Sequence, residues 1–190
     1  MLAQHISAKL FFAPPFPDVD EFIPLFHRWI QEDAVPGLLI DVVDYRHVHH
    51  GPGIILAGFE GSYALDFNQG RPGLRYSRNP RGWQDDPTQT DAERLKQRLV
   101  TLLETLFQAA ALVETSEALS LPPSILRNEI EFTFLDRLQT PNTETAAQIL
   151  TPVLMDALQT IMPDAQSHIQ RQSIIPGDPL TFSVTLTSTL

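Results

Sequence analysis

The chain has 190 residues, 43% of them apolar, and a formal net charge of −10. That length is enough for one substantial core, or for two small lobes sharing one. The acidity argues against nucleic acid as a general partner, and the absence of cysteine excludes disulfides, thiolate metal sites and cysteine nucleophiles. No apolar run approaches the roughly 20 residues that span a bilayer, so no membrane partner is expected. The N-terminus lacks a basic region followed by a long apolar stretch, so no secretory signal is expected and a cytoplasmic location is the default expectation.

In chain order, residues 5–12 alternate Ile6, Ala8 and Leu10 with other residues, which predicts a half-buried strand. Pro14, Pro15 and Pro17 end it. Asp18 and Glu21 have the spacing of a capping box, and Phe22, Phe26, Trp29 and Ile30 share one helical face. Pro24 places either the first turn or a kink at that point. Strands are expected at 38–43, 54–59, 61–67 and 74–76, with turns at Gly51-Pro52-Gly53 and Gly70-Arg71-Pro72-Gly73. After a loop at 78–89, Thr90 and Glu93 form a capping box. Leu95, Leu99, Leu102, Leu106, Ala110 and Val113 then continue a long helix over about 90–118. A strand over 129–138, a helix over 144–161 containing Pro152, and strands over 166–174 and 180–188 complete the chain.

The wording of 23–31 is echoed at 151–159: each has a proline early in an apolar-periodic stretch and a glutamine seven positions later. The expectation is a single α+β domain of two βαββ repeats, about 4–77 and about 127–188, joined by the long helix. They would form a curved antiparallel sheet with helices on its outer face, since one such unit is too small to bury both its layers alone. The element order resembles the tandem βαββ effector-binding domains of the gyrase-inhibitor-like group and the SOUL haem-binding proteins. That resemblance implies a ligand cleft between the halves and transfers no functional residue. Phe26-His27-Arg28-Trp29-Ile30-Gln31, with 39–48 and Gly51-Pro52-Gly53, is also similar to a small uncharacterised bacterial family of cyanobacteria or proteobacteria. It implies no chemistry.

The densest polar cluster runs from Asp41 to Gly53. His47 and His49 would project to one side of an extended chain, and with Asp44 they offer a divalent transition-metal shell. Solvated histidines at a hairpin tip are the plainer reading; Glu60 and Asp66 are further ligands only by proximity. His27 reads as a core-edge histidine, and haem ligation through His27 or His168 has no support. Arg71, Arg75, Arg78 and Arg81 form a basic strip on an acidic chain, suited to a small anion. Asp136, Arg137 and Asn142 read as a structural network around a turn.

The function expected is noncatalytic: a module binding a small anionic or amphipathic molecule, or a protein partner, through Tyr45, Arg46, Arg71 and Arg75. A metal-dependent enzyme using His47, His49 and Asp44 is the alternative. A structural assembly protein, with the long helix as its interface and a homo-oligomer as one outcome, is a third.

Overall fold

In the computed structural model, which describes residues 2–48, 51 and 53–188, eight strands form one antiparallel sheet. They are β1 (Ile6–Ala13), β2 (Leu39–Asp44), β3 (Ile54–Gly58), β4 (Gly61–Asp66), β5 (Gly73–Arg78), β6 (Ser124–Phe134), β7 (Ala165–Arg171) and β8 (Leu180–Ser188). Their order across the sheet is β2-β3-β4-β5-β1-β6-β8-β7. Three α-helices accompany them: α1 (Phe22–Glu32), α2 (Asp91–Glu114) and α3 (Glu144–Ile161). The α+β class and the antiparallel sheet are as expected.

Period-two alternation decides which side of the sheet the helices cover. In β1, Ile6, Ala8, Leu10 and Phe12 join the same core as Phe22, Phe26 and Trp29 of α1, Leu99 and Leu103 of α2, and Leu150 of α3. The register carries that face across the strands: Ala8 stands opposite Tyr76 on β5 and Phe132 on β6, and Phe132 opposite Phe182 on β8. Each fully buried Phe or Leu there contributes roughly 1.5–3 kcal/mol. Ser7, Lys9 and Phe11 therefore point to the side without helices.

Two helix entries show how local chemistry works. At α2, Thr90 and Glu93 satisfy each other's backbone: Glu93 N donates to Thr90 Oγ1 at 3.3 Å, and Thr90 N to Glu93 Oε2 at 2.8 Å. At α1, only half of the expected box forms. Asp18 Oδ1 accepts from Asp20 N at 3.0 Å and caps a 3₁₀ turn over Val19–Glu21. Glu21 turns away and accepts from Ser120 N at 2.8 Å. Pro24 falls in the first turn of α1, where its missing N–H would have had no intrahelical partner, so no kink is needed. Pro152 is interior to α3.

Some bounds differ from expectation. β6 begins at Ser124 and stops at Phe134 rather than spanning 129–138. A register shift between Leu10 and Phe11 lets its early residues pair with the end of β1, Ser124 opposite Ala13. Beyond Phe134, Asp136 Oδ1 accepts from the backbone of Leu138 and Gln139, each at 3.3 Å, and turns the chain. α2 ends at Glu114 rather than near 118. His27 is exposed on α1 rather than at the core edge. No helix among the described residues is long and apolar enough to cross a membrane.

Candidate ligand sites

The helix-free face is polar at its centre. Lys9 on β1 stands opposite Arg75 on β5 and Glu131 on β6, and Glu131 stands opposite Ser183 on β8. This makes one row of side chains across four strands. Lys9 and Asp66 are each 2% exposed and lie 3.8 Å apart; Arg75 Nη1 donates to Asp66 Oδ2 at 2.8 Å. Burial lowers the Lys9 ammonium pKa, with the neighbouring Asp66 and Glu131 acting against that shift. Burial raises the Glu131 carboxyl, against the pull of Lys9. Arg71 lies over the Phe11 ring, 3.8 Å from its centroid, and donates to Glu129 at 2.6 Å. The face thus balances Lys9, Arg71 and Arg75 against Asp66, Glu129 and Glu131.

The basic strip is divided by the same alternation. Arg75 points to the helix-free face, whereas Arg78, three residues on, stands opposite Ile6 on the core side. Tyr45 and Arg46 lie at the end of β2, away from Arg71 and Arg75 in the register. Arg46 donates to Asp44 at 2.6 Å and to Asp20 at 2.5 Å. That hydrogen bonding holds Asp44 at a pKa of about 2 and raises Arg46. The Tyr45 ring stacks on His47 with centroids 6.4 Å apart. Asp44 is thus held by a guanidinium, and His49 lies outside the described residues; among the described residues no three metal-ligating side chains cluster.

An apolar pocket of about 320 Å³ opens near the far end of β1, lined by Phe12, Phe16, Val19, Leu65, Phe67 and Pro72. The arginine-bearing segments flank it in the chain. Arg71 falls between Gly70 and Pro72, both of which line it. Arg46 is bonded to Asp20, the neighbour of the lining residue Val19. Gly53, which ends the histidine turn, sits so close to Phe67 that a built Cβ would be 3.2 Å from its ring.

At the opposite end of β1, a second pocket of about 310 Å³ lies between the end of β5, the loop at 79–90 and the start of α2. Arg78, Arg94 and Arg98 line it, with Asp85 as the acidic member. Arg98 is 4% exposed; it forks onto Asp85 and donates to the Ala3 carbonyl. Arg78 and Arg98 both lie against Trp83, 4.9 and 5.1 Å from the ring. Trp83 in turn donates to the Gln4 carbonyl at 2.7 Å.

No protein-family model, curated protein or solved structure matches the chain.

The sequence marks Arg71, Arg75, Tyr45 and Arg46, but not Lys9, Glu131 or the set formed by Trp83, Arg94 and Arg98. A signal for Lys9 was present: it is one of only two lysines and interrupts the apolar run Ile6–Ala13. Its partners come from distant strands and have no local signature.

Proposed function

We propose that the protein is a noncatalytic binding module for a small amphipathic molecule. Its apolar part would occupy the pocket of Phe12, Phe16 and Phe67, and its anionic head would face Arg46, whose partner Asp20 adjoins the lining residue Val19. The observation that carries this reading is the apolar pocket of about 320 Å³ flanked in the chain by two arginine-bearing segments. Such a lining, with few polar groups at its rim, is the usual character of a small-molecule site. Titration calorimetry with decanoate tests it. Saturable binding should weaken at least tenfold in Phe16→Ala, whose ring is half exposed and can be removed without opening the core, and several-fold in Arg46→Gln. Absence of saturable binding by decanoate and by longer carboxylates would overturn it.

The same reading includes two repeats, β1-α1-β4-β5 and β6-α3-β7-β8, related across the β1–β6 seam. Support comes from the sheet order, in which β5 then β4 flank β1 as β8 then β7 flank β6. On this reading the insertion in the first copy is the β2–β3 hairpin, which carries the histidine turn. An amphipathic site beside that hairpin would belong to the first copy alone.

A further inference from the structure

We infer that the pocket of Arg78, Arg94 and Arg98 binds a small hydrophilic organic anion, one bearing a phosphoryl group or several carboxylates. The inference is independent of the amphipathic-ligand reading: it concerns other residues at the other end of β1. Three guanidiniums and one carboxylate line this pocket, and Asp91 pairs with Arg94 from outside the lining, so Arg78 leaves the pocket net positive on a chain of net charge −10. Low-dielectric walls concentrate such a field on whatever enters.

The three arginines have different tasks. Arg98 is held by Asp85 and the Ala3 carbonyl and forms a fixed wall. Its carboxylate partner neutralises it, as Asp91 does Arg94, and leaves Arg78. Arg78 donates through Nε and Nη2 to the Gly82 carbonyl, at 3.1 and 2.5 Å; a carbonyl is neutral, so the positive charge of Arg78 remains uncompensated by a carboxylate among the described residues. Arg94 uses Nη2 on Asp91 at 2.7 Å, and its buried Nε has no acceptor among the described residues. An unsatisfied buried donor is destabilising, and an oxyanion accepting from it would remove that penalty. Guanidinium forks match the oxygens of phosphoryl and carboxylate groups.

The remaining lining identifies the rest of the ligand. Gln84, Gln89 and Gln97 contribute amides and Thr101 a hydroxyl. These neutral donors and acceptors suit hydroxyl-bearing carbon, not an alkyl chain. Trp83 is covered by Arg78 and Arg98, so the ring serves to hold those guanidiniums in place. A volume of about 310 Å³ exceeds what an inorganic ion needs and lies at the small end of organic-ligand pockets.

The test uses the full chain and three probes, ribose 5-phosphate, citrate and inorganic phosphate, at ionic strength held constant with sodium chloride. Titration calorimetry should give saturable binding of ribose 5-phosphate or citrate, at least tenfold tighter than inorganic phosphate. Which organic probe binds distinguishes phosphoryl from carboxylate recognition. Arg94→Gln and Arg78→Gln, each checked for an unchanged circular dichroism spectrum, should each weaken that binding tenfold or more. The Nε–H resonance of Arg94 should shift on titration. Phe16→Ala should leave the binding unchanged, which separates this site from the apolar one. The proposal is overturned if neither organic probe binds saturably, or if binding survives both arginine substitutions.

Discussion

Lys9 Nζ lies 3.8 Å from Asp66 Oδ1, both side chains being 2% exposed, on the face of the sheet that carries no helix. A buried charge is tolerated only while its partner remains. Asp66 has more support than Lys9, since it also accepts from Arg75 at 2.8 Å and from Asn68 N at 2.8 Å. Lys9→Met should therefore change stability by only about 1 kcal/mol in either direction, whereas Asp66→Asn, which removes the ion-pair partner of both Lys9 and Arg75, should cost about 3 kcal/mol. Urea denaturation of the two variants measures the asymmetry.

The same row predicts a reciprocal titration. Lys9 lowers the carboxyl pKa of Glu131, and Glu131 raises that of the Lys9 ammonium. Lys9→Met should move Glu131 further up, and Glu131→Gln should move Lys9 further down. Carbon-detected NMR titration of the side-chain carboxyl and the lysine Cε reads both.

A stability difference with pH follows for Glu131. Its folded-state pKa is raised above the ordinary 4.5, so the folded protein holds that proton more tightly than the unfolded chain. The resulting stabilisation is complete below pH 4.5 and is lost as pH rises through the raised folded value. Relative to Glu131→Gln, the wild type should lose stability across that interval. Denaturation midpoints of both proteins, taken from pH 4 to pH 8, should diverge in that direction.

Arg98 should be the most sensitive of the arginines. Truncation to Met leaves the Ala3 carbonyl and Asp85 without their donor and removes one face of Trp83 packing. The expected loss is about 3 kcal/mol, near the low end for a broken buried pair because Asp85 retains some solvent. Thermal and chemical unfolding would show it, and Arg98→Lys should recover only part, since lysine cannot fork onto Asp85.

Two glycines with left-handed backbone should behave differently. At Gly53, φ is 79° and a built Cβ would stand 2.0 Å from the Leu65 carbonyl oxygen; at Gly70, φ is 68° and nothing lies within 4 Å. Gly70→Ala should cost about 1 kcal/mol, the penalty of the conformation alone. Gly53→Ala adds a backbone clash and should cost at least about 2 kcal/mol. Unfolding midpoints of the two variants compare the terms.

What could be read from the chain alone followed the range of the interaction. The Thr90 and Glu93 pair and the leucine ladder after it are local, and they marked the start of α2 correctly. Alternation in β1 and β8 was equally visible. The bounds of β6 were not, because they depend on a bulge against β1. The basic strip looked continuous in one dimension, but strand alternation sends Arg75 to one side and Arg78 to the other. Arg78 then meets Trp83 and faces the pocket wall formed by Arg94 and Arg98 of α2. Nothing local to the loop at 79–90 announces that meeting.

The seam at which β1 lies between β5 and β6 also governs how the chain reaches its fold. The hairpins β2–β3, β3–β4, β4–β5 and β7–β8 join neighbours and can close early, each over a short loop. Pairing Ile6 with Phe134 instead requires closing a loop that contains most of the first half of the chain and all of α2, and such non-local contacts slow folding. On the ribosome β1 emerges first, with an apolar sequence from Ile6 to Ala13, and must wait for β5 and longer still for β6. Throughout that interval its two edges are open to other chains, and Lys9, the one charge in the strand, is what guards it.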